Sequence, residues 1–276
     1  MGEANPTCRG FGGYASGAVV LAARTLGVRA VIHEANVRPG LANRLLARVA
    51  DRVYLNHGVA GRGFPPHGLR VTGWPVRADV RALADLHRDA PGRARPARIL
   101  VCSGSRGGAF LARRVPDVLA RVASEGRALD VRHQSGDAAP AAIGEAYARA
   151  GIAARVSPFI DDLPACYRWA DLVIARAGAG TLAELAVAGL PSLLVPLADA
   201  AADHQRWNAA LYGAEGAALW TGERDWDDAG LAARLAQVLD DRSTWAALSA
   251  SARRLAVPDA ADRVVDDCED LIGERW

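Results

Sequence analysis

The sequence contains no lysine, so all 33 of its cationic side chains are arginine. This absence excludes Schiff-base chemistry on a lysine and a Walker-type phosphate loop, both of which need one. The net charge is only +2 over 276 residues, which argues against a strongly basic nucleic-acid-binding protein. No run of 18 or more apolar residues occurs, so the sequence predicts no membrane-spanning helix.

Cysteine is scarce and its spacing suggests no pairing. The four cysteines are Cys8, Cys102, Cys166 and Cys268. They form no C-x-x-C motif, which predicts free thiols in a reducing cytoplasm and neither a disulfide framework nor a zinc site. The sequence has no H-E-x-x-H or G-x-S-x-G motif, so metal-dependent and serine hydrolases are disfavoured. The opening residues MGEANPTCRG lack the apolar core of a signal peptide, so a cytoplasmic protein is expected.

Short apolar, β-branched segments alternate with longer amphipathic segments rich in alanine, leucine and arginine. This alternation is typical of strands and helices that follow one another, and it predicts an α/β protein built on parallel sheets. Hydrophobic residues make up 51% of the 276 residues, so the chain is long enough for two compact domains.

The stretch Leu86–Ala97 contains two prolines and a glycine and has no hydrophobic periodicity. It predicts an interdomain linker with a boundary near residue 95. The part before it contains at most three predicted strands. Its opening residues, GEANPTCR, do not resemble a strand, although they lead into a glycine-rich turn. Because such a turn normally follows a strand in a βα unit, we expect part of this domain to lie upstream of the sequence.

Three glycine-rich turns, Gly10–Gly17, Ser103–Gly108 and Arg176–Gly180, each lead into a predicted helix. Glycine lets the backbone approach a ligand closely, and the N–H groups at a helix N-terminus attract anions. Each turn therefore suits a diphosphate, although the need for a tight turn explains each one equally well. Neither of the first two turns has the G-x-G-x-x-G spacing of a dinucleotide site.

Several polar residues have two competing interpretations. Glu184 follows Thr181 by three residues, the spacing of a capping box, and spacing alone favours that over a carboxylate that binds ribose hydroxyls. His33 and Glu34 follow a predicted strand and point to opposite sides of it, which excludes a metal pair. His33 suits a buried structural role as well as a site. Gln205 can both donate to and accept from sugar hydroxyls, but a lone glutamine on a helix usually has no such role.

The order of several motifs resembles a known family. GFGGYASG, HEANVRPGLANR, VTGWPVR, SGSRGG, PFIDDL, RAGAGTLAELAVAGLP, DHQRWNA and VPDAADRV follow one another as in the MurG family of bacterial peptidoglycan glycosyltransferases. The resemblance extends from about Gly10 to Leu271. It implies an α/β GT-B fold, two Rossmann-like domains that face a cleft, with the N-terminal one incomplete. Residues 1–95 and a C-terminal helix over 258–276 would form the acceptor and membrane-side domain, and 96–257 the UDP-GlcNAc-binding domain.

The resemblance also implies site residues, and it makes Glu184 a ribose ligand. The implied donor-binding positions are Asn36, Arg77, Ser105, Ile160, Gly178, Ala179, Gly180, Thr181, Leu182, Ala183, Glu184, His204 and Gln205. The implied acceptor-side loop comprises Gly12, Gly13, Tyr14, Ser16, His33 and Glu34. The family's catalytic base belongs to a GGTGGH segment that this sequence lacks. The base is therefore unassigned, with His33 a weak substitute, and impaired activity is expected.

The implied activity is an inverting, metal-independent transfer of N-acetylglucosamine, without a cofactor, from UDP-GlcNAc to undecaprenyl-linked lipid I, which gives lipid II. The implied location is the cytoplasmic face of the inner membrane. There Arg38, Arg44 and Arg48 would contribute to a basic patch, or would simply form a solvated helix face. Two alternatives stay open: a UDP-sugar-binding remnant without transferase activity, and a related UDP-sugar enzyme such as a tailoring glycosyltransferase or a 2-epimerase.

Overall fold

The computed structural model describes residues 7–10, 14–104, 108–198 and 203–273. Helices and strands alternate along the chain, and the described strands pair in parallel. The predicted α/β class is therefore confirmed. The chain forms two compact units: unit 1 comprises Met1–Arg77 and Val257–Trp276, and unit 2 comprises Ala78–Ala256.

Unit 1 is built on a four-stranded sheet in the order β1-β2-β3-β4. The strands are β1 Thr7–Gly10, β2 Arg29–Glu34, β3 Arg52–Leu55 and β4 Leu69–Val71. The helices are α1 Tyr14–Thr25, α2 Leu41–Leu46 and, after unit 2, α11 Ala260–Gly273. A 3-10 helix covers Gly58–Gly63.

Strand β1 corrects two expectations. Thr7–Gly10 pair in parallel with Arg29–Ile32 of β2, so the opening segment does contain a strand. Among the residues that the structure describes, the sheet has four strands, where the sequence predicts at most three. A strand of four residues at a sheet edge depends on backbone pairing with its neighbour more than on its own β propensity, so TCRG carries little local signal.

Helix α11 packs on the sheet of unit 1. The Tyr54 hydroxyl donates to Asp267 Oδ2 at 2.9 Å, and Arg70 Nε donates to Asp267 Oδ1 at 2.9 Å. Burial raises the pKa of Tyr54, so its hydroxyl keeps its proton and donates at neutral pH. The apolar residues that pack together here are Val31, Tyr54, Val264, Cys268 and Leu271.

Unit 2 is built on a six-stranded sheet in the order β10-β9-β8-β5-β6-β7. The strands are β5 Ala97–Cys102, β6 Leu129–Gln134, β7 Ala153–Ser157, β8 Leu172–Ala175, β9 Ser192–Leu194 and β10 Leu219–Trp220. The helices are α3 Ala78–Arg81, α4 Gly108–Ser124, α5 Pro140–Arg149, α6 Leu163–Trp169, α7 Ala179–Ala188, α8 His204–Ala214, α9 Asp228–Asp240 and α10 Arg242–Arg254.

The strand order of unit 2 reverses between β5 and β8, since β6 and β7 lie to one side of β5 and β8 to the other. Such a reversal opens a crevice beyond the carboxyl ends of the two strands, where ligands of doubly wound proteins bind. All four residues of β8 are buried, as expected for a strand covered on both faces. The segments that follow β5 and β8 are therefore the candidate ligand-binding segments of unit 2.

The predicted linker Leu86–Ala97 is packed on unit 2, and the division between the units falls before Ala78 instead of near residue 95. Arg95 forms a bidentate pair with Asp171 at 2.6 and 2.8 Å. The Arg88 guanidinium donates, at 2.7 to 3.1 Å, to the carbonyl oxygens of Tyr167, Ala170 and Ala188. Side-chain bonds to distant carbonyls leave no trace in local periodicity, so the sequence alone suggests a linker.

Arg88→Ala is expected to lower the free energy of unfolding of the protein by about 2–4 kcal/mol, because it leaves several carbonyl oxygens without their donor. Urea unfolding followed by circular dichroism measures the change. Arg93→Ala is the matched control, since the Arg93 side chain is 63% exposed in its pair with Asp240 and should contribute less than about 1 kcal/mol. Equal losses in the two variants would contradict the anchoring role of Arg88.

A buried histidine makes unit 2 sensitive to acid. His133 is 1% exposed, its Nδ1 lies 2.9 Å from the Tyr147 hydroxyl, and burial lowers its pKa from 6.5 to about 4. Between these two values the unfolded chain binds more protons than the folded one, so stability falls as the pH decreases through this range.

We expect His133→Gln to reduce the dependence of stability on pH between pH 6 and 5, by up to about 1.4 kcal/mol per pH unit. Urea unfolding at both pH values gives the slope. His67→Gln, which changes an exposed histidine, is the control and should leave the slope unchanged. The same slope in the unmodified chain and in His133→Gln would show that His133 does not carry the effect.

Candidate functional site

The turn between β8 and α7 lies at the strand reversal of unit 2. Helix α7 begins at Ala179, and its N-cap residue Gly178 forms no side-chain hydrogen bond with the first turn. The first backbone N–H groups of the helix therefore have no partner within the helix, and together with the helix dipole they favour an anion. The predicted donor-binding run lies here: Gly178, Ala179, Gly180, Thr181, Leu182 and Ala183.

The predicted capping box is wrong. Because Gly178 is the N-cap residue, Thr181 is the third residue of the helix and Glu184 lies beyond its first turn. Glu184 is half-buried, and the Tyr167 hydroxyl donates to its Oε2 at 2.9 Å. The Cys102 thiol nearby is neutral, since burial raises its pKa and electrostatic interactions with Cys166 and Glu184 raise it further. Glu184 therefore does not lie where a capping box with the N-cap residue would place it.

Helix α8 brings amide side chains to the same edge of the sheet. Gln205 Oε1 accepts from the Leu197 N–H at 3.0 Å, so the amide N–H groups are what Gln205 offers to a ligand. Asn208, which is 1% exposed, donates to the Ala177 carbonyl at 3.1 Å. This bond joins α8 to the turn before α7. His204, the first residue of α8, and Gln205 therefore lie on a helix that is anchored beside that turn.

Arg176 is a buried cation beneath this edge, and the sequence alone indicates no separate role for it. Its Nη1 lies 2.6 Å from Glu223 Oε1 and donates to the Val195 and Pro196 carbonyls at 3.2 and 3.4 Å. Its guanidinium also lies 5.8 Å from the centre of the Phe110 ring. Burial lowers the pKa of Arg176, and Glu223 counteracts this. These contacts hold together the chain segments that leave β8 and β9.

The other predicted donor positions of unit 2 follow β5 and β7. Ser105 lies outside the described residues. Close to it, a Cβ on Gly108 would lie 2.7 Å from the Ser135 carbonyl oxygen, so the start of α4 requires glycine. Ile160 is half-buried and lines an open groove of about 470 Å³ next to Cys166. The contact of the Ile160 backbone with uracil stays a prediction.

In unit 1, His33 is buried at the end of β2. Its Nε2 lies 2.9 Å from the Gly73 carbonyl; since a carbonyl only accepts, this nitrogen carries the ring proton. The ring packs against Tyr54 and Trp74, with centroid distances of 5.9 and 4.8 Å. Burial lowers the pKa of His33 to about 4, although the Gly73 bond and Glu34 act in the opposite direction. A base of this strength is poorly matched to proton abstraction near neutral pH.

Glu34 organises the loop that follows β2. Its Oε1 accepts from the backbone N–H and the side-chain amide of Asn36 at 2.9 and 3.1 Å. Its Oε2 accepts from the Gly40 N–H at 3.0 Å and from Asn43 Nδ2 at 2.9 Å. Glu34 is only 2% exposed. Its carboxylate therefore holds Asn36 in place, and that role is one the sequence does not indicate.

The structure provides little evidence on the roles of the remaining predicted positions of unit 1. Arg77 is exposed and is the last residue of the first segment of the unit. Gly12 and Gly13 lie outside the described residues. Tyr14 and Ser16 belong to α1, but their side chains lie outside the described part of the structure.

Comparison with known proteins matches both units. The family model of the glycosyltransferase family 28 C-terminal domain matches residues 98–264. The model of the glycosyltransferase family 28 N-terminal domain matches residues 2–55. Together these matches extend over parts of both unit 1 and unit 2.

Individual proteins resemble the chain over most of its length. The UDP-N-acetylglucosamine–N-acetylmuramyl-(pentapeptide) pyrophosphoryl-undecaprenol N-acetylglucosamine transferase of Aeromonas hydrophila is 42% identical over 262 residues, which are 95% of this chain and 71% of that protein. The crystal structure of Acinetobacter baumannii MurG is 33% identical with a TM-score of 0.79, covering 95% of this chain and 74% of that one. A UDP-GlcNAc 2-epimerase from Neisseria meningitidis, 12% identical with a TM-score of 0.64, covers 96% of this chain and 76% of that one and is similar in fold alone.

Proposed function

We propose that this chain, which belongs to the MurG family within glycosyltransferase family 28, transfers N-acetylglucosamine from UDP-GlcNAc to lipid I and so forms lipid II for peptidoglycan synthesis. The chain is a glycosyltransferase of the GT-B fold. The observation that carries the proposal is the edge of unit 2 at the strand reversal, where the uncapped start of α7, the Glu184 carboxylate and the anchored Gln205 amide occur together. These groups suit an anion, a diol and a sugar hydroxyl, and a UDP-sugar contains all three.

In the proposed complex the ribose hydroxyls donate to Glu184, and the diphosphate lies at the N-terminus of α7. Gln205 donates its amide N–H to a hydroxyl of N-acetylglucosamine, with His204 beside it. The uracil lies against the backbone at Ile160. Ser105, Asn36 and Arg77 stay donor-contact predictions from the resemblance to the family.

The proposed reaction is a single inverting displacement that needs no metal. The C4 hydroxyl of the acceptor sugar attacks C1 of N-acetylglucosamine, a new C1–O bond forms, and the bond from C1 to the diphosphate oxygen breaks. UDP leaves with that electron pair, and the hydroxyl proton passes to a base. Backbone N–H groups of α7 stabilise the charge that develops on the departing diphosphate. The low pKa of His33 argues against His33 as the base.

Two assays on the full chain test the proposal. Calorimetry should show binding of UDP-GlcNAc, weaker binding of UDP-glucose and none of NAD. Incubation of radiolabelled UDP-GlcNAc with lipid I should give lipid II, also in the presence of EDTA. Binding without transfer to any acceptor would favour a UDP-sugar-binding remnant. Conversion of UDP-GlcNAc to UDP-N-acetylmannosamine would favour a 2-epimerase, and transfer only to a lipid-free sugar would favour a tailoring glycosyltransferase.

The proposed location is the cytoplasmic face of the inner membrane. Leu41 and Leu45 are 70% and 52% exposed on α2, and the exposed Arg44 and Arg48 lie on or just after the same helix. Exposed apolar side chains flanked by arginine favour binding to an anionic membrane surface. Within the described residues, no helix has the length and hydropathy needed to cross a bilayer.

Sedimentation with vesicles tests this location. The chain should sediment with phosphatidylglycerol vesicles more than with phosphatidylcholine vesicles, and the paired change Leu41→Ser with Leu45→Ser should reduce the bound fraction. Val265→Ser is the control, because Val265 is 41% exposed on α11. An unchanged bound fraction in the paired variant would contradict the assignment of this surface.

A further inference from the structure

A fully buried tyrosine supports the carboxylate that the proposed function assigns to ribose. Tyr167 lies on α6 with 0% exposure, and its hydroxyl donates to Glu184 Oε2 on α7 at 2.9 Å. A hydroxyl has one proton to donate, and here Glu184 receives it. The bond joins two helices through side chains that are 17 residues apart in sequence.

The position of Tyr167 is itself fixed. Its carbonyl oxygen accepts from Arg88 Nη2 at 2.7 Å, and α6 is capped by Asp162, which accepts from the Ala165 N–H at 2.9 Å. The side chain belongs to the buried cluster of unit 2 that also contains Leu182 and Leu185 of α7. The hydroxyl is therefore held in place with little freedom to follow a moving carboxylate.

Such a donor restricts the orientation of the carboxylate. A glutamate side chain has three rotatable bonds, and without a partner its carboxylate occupies several orientations, of which only some suit a vicinal diol. A ligand then binds the competent fraction alone, and its apparent affinity falls accordingly. A hydrogen bond to one carboxylate oxygen holds the carboxylate in the orientation that binds the diol before the ligand arrives, so this loss of affinity is avoided.

We propose that Tyr167 is a positioning residue for nucleotide selectivity: its hydroxyl orients the Glu184 carboxylate so that a ribonucleotide is bound in preference to one that lacks the ribose hydroxyls. The inference rests on the proposed function, which assigns Glu184 to the ribose. Tyr167 does not contact the donor; it acts through Glu184.

Tyr167→Phe removes the hydroxyl and little else. Calorimetry with UDP and with 2′,3′-dideoxy-UDP measures the contribution of the ribose hydroxyls. We expect UDP to bind about 3- to 10-fold more weakly to Tyr167→Phe than to the unmodified chain. The affinity for dideoxy-UDP should stay within about twofold, since that nucleotide makes no bond with Glu184. Tyr167→Leu, which also lacks the hydroxyl, is the second variant should Tyr167→Phe fail to fold.

The control is Tyr147→Phe, which removes another buried tyrosine hydroxyl in the same unit, the one bonded to His133. It should lower thermal stability without changing the ratio of the two affinities. In a Glu184→Ala background, Tyr167→Phe should have no further effect on UDP binding, because the group through which it acts is absent.

Equal weakening of UDP and dideoxy-UDP by Tyr167→Phe would overturn the inference, and so would an undiminished effect in the Glu184→Ala background. The proposed function fails in a different way. In that case the unmodified chain does not bind UDP, or Glu184→Ala leaves the ratio of the two affinities unchanged.

Discussion

Replacing Glu184 with alanine is expected to weaken UDP-GlcNAc binding by about 10- to 100-fold, the loss that corresponds to one hydrogen bond to a charged group. Isothermal titration of the full chain measures the change. The helix start should be unaffected, because Gly178 is the N-cap residue of α7. The free energy of unfolding should still fall by about 1–3 kcal/mol, because the buried Tyr167 hydroxyl loses its acceptor.

Two further variants show whether the loss of UDP-GlcNAc affinity is specific to Glu184 and whether it depends on the charge of the carboxylate. Glu145→Ala removes an exposed glutamate of α5 and should leave affinity unchanged. Glu184→Gln keeps the size of the side chain but removes its charge, and it should lie between the unmodified chain and Glu184→Ala. If UDP-GlcNAc bound to Glu184→Ala within twofold of the unmodified affinity, the ribose assignment would be wrong.

Arg176→Ala is expected to lower the free energy of unfolding by about 3–5 kcal/mol. The Arg176 side chain is 6% exposed and that of Glu223 is 19% exposed, so the change leaves a largely buried carboxylate without its cation. It also removes the donor from the Val195 and Pro196 carbonyls. Urea unfolding measures the loss. Arg242→Ala, at a position 82% exposed in its pair with Asp89, should cost less than about 1 kcal/mol.

The paired change Arg176→Met with Glu223→Leu replaces the ion pair with two apolar side chains. It therefore tests whether the stability lost in Arg176→Ala comes from the unpaired charge of Glu223. Because the pair leaves no charge behind, it should regain more than half of the stability that Arg176→Ala loses. Both Arg176→Ala and the paired variant should discriminate less well between UDP-GlcNAc and UDP than the unmodified chain does. Val195 and Pro196 lead directly to Leu197, whose N–H holds Gln205, so a displaced segment would misplace the amide that we propose binds the sugar. A paired variant no more stable than Arg176→Ala would refute the argument from charge.

Much of the fold can be predicted from hydrophobic periodicity. The pattern predicts a helix over Gly108–Ser124, which is the observed α4, and a strand over Leu172–Ala175, which is β8. Long amphipathic helices and buried apolar strands each have a recognisable hydrophobic pattern in the sequence. Strand β1 does not, because it depends on the neighbouring β2.

The site could be predicted only in part. Motif resemblance predicts ligand-binding roles for Glu184 and Gln205, and these stay predictions. Periodicity starts α7 at Thr181, two residues after its observed first residue, Ala179, and that difference explains the wrong capping box. The bond from Tyr167 to Glu184 and the pair of Arg176 with Glu223 join residues that are distant in sequence. Only tertiary packing brings such partners together, so no local pattern contains them.

The division of unit 1 into two chain segments has a consequence for synthesis on the ribosome. Tyr54 and its partner Asp267 are 213 residues apart, and the whole of unit 2 is translated between them. Until α11 has left the exit tunnel, the nascent sheet of unit 1 exposes the apolar face that Val264 and Leu271 later cover. Unit 2 is one uninterrupted segment and can complete its core first, so the usual N-terminal-first order of co-translational folding is reversed. During that interval the first segment of unit 1, Met1–Arg77, is the part of the nascent chain that a ribosome-associated chaperone would bind.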